Sequence, residues 1–206
     1  MKLKQIGGVA WGLVTLVLIL ALLVWSQVRL AGGHLTIYDI FPVLGLSAFS
    51  IMWCHYVIGA MAKYFNQEKS PGLTFFYKIT EVVVLALLLL HPGLLIANLW
   101  FDGFGLPPFS YLQAYPSAIQ GFALLLGTVS LLAFLAFEFH RKFGQRSWWK
   151  YIDYASMVAM VAIFFHALLL GGELAVVWFK VIWLLYGVTL IGAIIYGFQG
   201  KRRKHE

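Results

Sequence analysis

Six apolar stretches, at residues 7–28, 40–63, 73–97, 117–139, 151–170 and 174–198, constrain this chain more than any motif it carries. An α-helix rises ~1.5 Å per residue, so about twenty apolar residues match the ~30 Å hydrocarbon layer of a bilayer. The expectation is an all-α integral membrane bundle of six transmembrane helices, a single domain over residues 1–206. Composition agrees with it. The chain is 62% hydrophobic and 11% charged, with a mean hydropathy of +0.86, whereas soluble domains carry about 25% charged residues. A soluble core this apolar would have no polar surface left to cover it.

The connectors between the stretches are short, and the basic residues within them set an orientation, because Lys and Arg are retained on the cytoplasmic side. Lys2 and Lys4, then Lys63, Lys69 and Lys78, then Arg141, Lys142, Arg146 and Lys150, and finally "KRRK" near the end account for 13 of the 15 basic residues. Both termini are therefore expected in the cytoplasm, with Arg29 and Lys180 as exceptions. The net charge of +7 is read as this topology signal, with anionic lipid headgroups as its partner and no nucleic acid. "MKLK" with the apolar run behind it is read as helix one, since the run is long for a signal peptide and no small-x-small cleavage site follows. One cysteine, Cys54, leaves no internal disulfide, no CxxCH haem attachment and no iron–sulfur cluster. The third connector, "FDGFGLPPFSYLQAYPS", lacks basic residues and is expected to form an ordered outer cap.

Polar groups inside the membrane cost free energy, so each is a functional candidate. His91, His166 and Lys180 lie about six, five and seven residues from the outer ends of their predicted helices. That spacing predicts one shared level, roughly 7 to 10 Å below the boundary. Nearer the cytoplasm, His55 and Glu81 sit at comparable depths on neighbouring antiparallel stretches, where they can pair structurally or relay protons. Asp153 lies at the boundary, beside Lys150, as an ion-pair partner. His34, His140 and His205 fall in loops or at boundaries and are expected in solvent. Two histidines on two helices at one depth form an arrangement that can hold a haem b by both axial positions. Phe164, Phe165 and Trp100 can help line a slot for it, and Lys180 can face the propionates. The plainer alternative is a pair of hydrogen-bonded packing residues.

The segment "RKFGQRSWWKYIDYASMVAMVAIFFHALLL", residues 141–170, resembles the ferric reductase-like transmembrane domain superfamily, nearest its small six-helix MsrQ (YedZ) branch of haem-binding membrane subunits. "RKFGQR" and Trp149 match that branch's basic loop, His166 its second helix-five histidine, and His91 the facing ligand. The chain departs from the pattern at Asp153, which stands thirteen residues before His166 where the family has a histidine, and at Tyr77, fourteen before His91. The resemblance thus implies one haem b on the outer side, with His91 and His166 as iron ligands. Pro92, which lacks an N–H, biases His91 away from helical geometry and can kink the helix.

With haem, the implied activity is electron transfer, as one component of an oxidoreductase. No GxGxxG fingerprint or flavin domain is visible, so the donor would be quinol or a separate cytosolic flavin reductase, and the acceptor a periplasmic or extracellular protein. Two other classes fit the same residues: a haem-free scaffold of the same fold, or a small proton-coupled transporter using Glu81, His55 and Lys180.

Overall fold

The computed structural model describes residues 5–30, 35–143 and 150–202. Lys2, Lys4, His34, Arg146, Trp149 and His205, and with Arg146 the second half of the "RKFGQR" loop, lie outside the described residues. The chain is all-α, with α1 Gln5–Arg29, α2 Ile37–Tyr64, α3 Pro71–Phe101, α4 Phe109–Ala114, α5 Ala118–Phe143, α6 Lys150–Leu170 and α7 Val177–Arg202. All but α4 are long and apolar enough to cross a membrane. Large apolar side chains such as Leu16, Val82, Leu132 and Val188 are exposed along them, as lipid-facing residues should be. This is a multi-pass integral membrane protein.

The helix ends follow from local chemistry. Thr36 and Asp39 begin α2 with a capping interaction, the Thr36 N–H and hydroxyl donating to Asp39 Oδ2 at 2.8 and 2.7 Å. Arg29 stands 3.6 Å from the same carboxylate. One of the two basic exceptions is thereby neutralised by an acidic neighbour, and a cap of this kind contributes about 0.5–2 kcal/mol. α3 starts on Pro71, whose missing N–H costs nothing at a first helical position. It closes on Gly103, at φ +83°, with the Gly103 N–H donating to the Trp100 carbonyl and the Phe104 N–H to that of Leu99. This pair of bonds needs a left-handed residue, which glycine supplies without strain. α5 opens with a reciprocal pair, Gln120 N–H to Ser117 Oγ and Ser117 N–H to Gln120 Oε1.

One sequence expectation is filled in and two are corrected. The third connector, expected to be ordered, contains a short helix, α4, within which Ser110 is fully buried. The last span starts at Val177 instead of 174, because Gly172–Ala175 forms a 3-10 turn with Glu173 buried in it. Pro92 does not divert His91 from the helix, since α3 continues through both residues to Phe101.

Two compact units are distinguished: residues 1–94 with 176–206, and residues 95–175. In the first, α2 packs on α1 and on α7. Its centre is aromatic, with Phe49 against Trp183 at 4.4 Å and Trp53 stacked on Tyr186 at 4.4 Å between ring centres. The Trp53 indole N–H donates to the Tyr186 carbonyl at 3.1 Å and to Thr189 Oγ1 at 2.9 Å. At the start of α1, a methyl group added to Gly7 would lie 3.0 Å from the Gly72 backbone, so two backbones meet there with no side chain between. In the second unit α5 and α6 pack along their length, with Ser130 Oγ donating across to the Ala159 carbonyl at 3.2 Å.

Candidate functional site

His91 is half-buried on α3, and its Nδ1 lies 2.7 Å from the carbonyl oxygen of Phe41 on α2. A carbonyl only accepts, so Nδ1 carries the hydrogen; in the neutral ring the lone pair is then on Nε2. Four residues beyond Phe41 stands Gly45. A methyl group built there would lie 2.8 Å from His91 Cε1 and 2.9 Å from Nδ1. The Phe41 ring flanks the imidazole with 5.5 Å between centres.

His166, in the other unit, is held in the same way. Its Nδ1 lies 2.7 Å from the Ala123 carbonyl on α5. Four residues on is Gly127, where a methyl group would lie 2.8 Å from both Cε1 and Nδ1 of His166. Beside it Phe164 is buried while Phe165 is half exposed, the two rings meeting edge-on at 5.4 Å. Of the aromatic residues expected to line a slot, Phe164 is inside, whereas Phe165 and Trp100 are exposed.

Counted along their own helices, the three groups predicted at one depth are spaced unequally. His91 is ten residues from the end of α3, His166 four from the end of α6, and Lys180 three from the start of α7, or about 15, 6 and 4.5 Å along the respective axes. The cause is the longer α3, prolonged by residues 98–101, and the later start of α7. Lys180 is exposed on the first turn of α7.

His55 and Glu81 behave differently from the two seated histidines. His55 Nε2 lies 2.7 Å from Thr80 Oγ1, the residue before Glu81. Thr80 donates its one hydroxyl hydrogen to the Phe76 carbonyl at 2.8 Å, so here the imidazole must donate through Nε2. Phe76 and Tyr77 wall the ring edge-on at 5.6 and 5.1 Å, and Glu81 is half-buried. His140, expected in solvent, is half-buried instead, with its Nε2 3.9 Å from Asp153 Oδ1. Antiparallel packing of α5 on α6 brings the two together, and Asp153 thus meets a histidine of the neighbouring helix.

Sequence reasoning missed Gly45 and Gly127, the carbonyls of Phe41 and Ala123, and the burial of Glu173. Membrane helices contain many glycines, and only the helix pairing shows which ones face an imidazole. Among the described residues no three His, Cys, Asp or Glu side chains gather around a point; a haem brings four ligands of its iron with it and needs imidazoles singly. Nδ1 held by a carbonyl and a cradle that a Cβ would fill are features that fit such a group, since ligating histidines usually donate their other N–H to a neighbour. Comparison of the chain with protein-family models, with curated proteins and with solved structures finds no match.

Proposed function

We propose that this chain is a haem b-binding membrane subunit that passes electrons from quinol, or from a separate flavin reductase, to a periplasmic or extracellular acceptor. One observation carries the reading: His91 and His166 are each fixed through Nδ1 to a backbone carbonyl over a glycine, which in the neutral ring puts the lone pair on Nε2, the atom a haem iron would take. The resemblance of residues 141–170 to the ferric reductase-like superfamily supports the same assignment.

In this reading His91 and His166 hold the iron, and the cation of Lys180, exposed at the start of α7, answers the propionates. When bound, the haem supplies a reversible one-electron Fe(III)/Fe(II) couple, and the protein sets its potential through ligands, burial and nearby charge. The tasks of the chain itself are to keep Nε2 unprotonated, to restrict ring rotation, and to exclude water with apolar helices. His55 is left out of the ligand pair in this reading, because its Nε2 hydrogen goes to Thr80, whose own hydroxyl donates to the Phe76 carbonyl.

The deciding experiment is an absorption spectrum of the detergent-purified protein, oxidised and then dithionite-reduced, with His91→Ala and His166→Ala alongside. The expected result is a low-spin b-type spectrum in the wild type, lost in both variants. A protein that stays colourless when expressed with excess haem would leave the haem-free scaffold as the better reading.

A further inference from the structure

We infer that Gly45 and Gly127 are positioning residues, matched seats that fix the imidazoles of His91 and His166 in the Nδ1–H tautomer and leave Nε2 as the ligating atom. That the ligand is haem rests on the proposed function. The seats themselves rest on helix geometry alone.

In an α-helix the carbonyl of residue i points along the axis toward residue i+4. A side chain reaching that carbonyl from a neighbouring helix must pass beside the Cβ of residue i+4. With glycine there, nothing stands in the way. At both sites the acceptor and the glycine have this relation, Phe41 with Gly45 and Ala123 with Gly127, and the imidazole comes from the adjacent helix. An added methyl group would lie 2.8 Å from Cε1 at each, against an ordinary carbon contact of about 3.5 Å or more. Relieving that overlap requires a movement of about 0.7 Å. If the ring made that movement away from the helix, a 2.7 Å hydrogen bond would stretch to about 3.4 Å, beyond the range of a good N–H···O bond. Most other helical glycines meet no such neighbour: a methyl group on Gly93 of α3 or Gly121 of α5 would find nothing within 4 Å. Among the described residues the same three-part device, a carbonyl, a glycine four residues on and a histidine on the neighbouring helix, therefore occurs once in each compact unit. Packing by itself would not require the repetition.

The test begins with haem-free protein in detergent, labelled with ¹⁵N-histidine, with the two imidazoles assigned through His91→Ala and His166→Ala. NMR should show both rings as Nδ1–H tautomers in the wild type. Gly45→Ala should move at least half of the His91 population out of that tautomer and leave His166 unchanged; Gly127→Ala should do the reverse. Gly93→Ala and Gly121→Ala should change neither. On adding haem, the seat variants should still bind it but show a shifted low-spin electron paramagnetic resonance signal, whereas the two control variants should match the wild type. An Nε2–H tautomer at either ring in the wild type overturns the inference, and this measurement decides the matter even if a seat variant fails to fold. Seat variants indistinguishable from the controls overturn it as well. Should both rings prove to be Nδ1–H and respond to their seats while no haem is taken up, the seats are supported and the haem reading alone fails.

Discussion

His91 in one compact unit and His166 in the other are held in one way, and His55 is held in another. Each of the first two gives its Nδ1 hydrogen to a backbone carbonyl. His55 gives its Nε2 hydrogen to Thr80. All three are half-buried histidines on membrane-spanning helices, so hydropathy and burial do not separate them. The difference is the atom committed to the protein. Nε2 projects farthest from the backbone and is the natural donor to iron; it is spent at His55 and not spent by the seating bond at the other two.

The largest expected effect tests this contrast directly. His91→Ala and His166→Ala should abolish the low-spin absorption spectrum, whereas His55→Ala should retain it with haem stoichiometry unchanged; a loss common to all three would erase the distinction. Next in size, combining Gly45→Ala with Gly127→Ala should weaken haem retention on dilution in detergent by about tenfold, the equivalent of about 1.4 kcal/mol, as followed by the decay of the absorption band. Thr80→Val sharpens the other side of the comparison. It removes the acceptor of the His55 hydrogen and should destabilise the fold by about 1 kcal/mol, read as a lower melting temperature, with the spectrum unaltered. The smallest effect belongs to Tyr77→Phe. The Tyr77 hydroxyl reaches the His55 carbonyl only at 3.4 Å, and its loss should change stability by less than about 0.5 kcal/mol in the same melting measurement.

Much of the fold was legible because a bilayer makes simple demands. Runs of leucine, valine and isoleucine have to be helices there, and five of the six observed spans include the predicted stretches almost whole. The sixth began late because "LAV", just past the "GGE" connector, reads as the start of the apolar run, yet Leu174 and Ala175 complete the 3-10 turn that Gly172 and Glu173 begin. Arg29 looked anomalous under the positive-inside rule until Asp39 was found beside it; ten residues of sequence conceal that contact. The candidate site was legible as residues and not as geometry. His91 and His166 stand out as ionisable groups among leucines, but "FPVLG" and "ALLLG", the stretches that seat them, carry no polar side chain. Their contribution comes from a backbone oxygen and a missing Cβ. The pairing of His140 with Asp153 depends likewise on the register of α5 against α6, which periodicity does not reveal. The partition into two compact units left no mark in the sequence either.

The Trp53 indole also keeps time. Its N–H is buried and has acceptors at both the Tyr186 carbonyl and Thr189, so it can trade its hydrogen for deuterium only when α2 and α7 part. The exchange rate of that single proton therefore reports how often the aromatic centre of the first unit opens. It resolves separately from backbone amides, and its reading needs no added label.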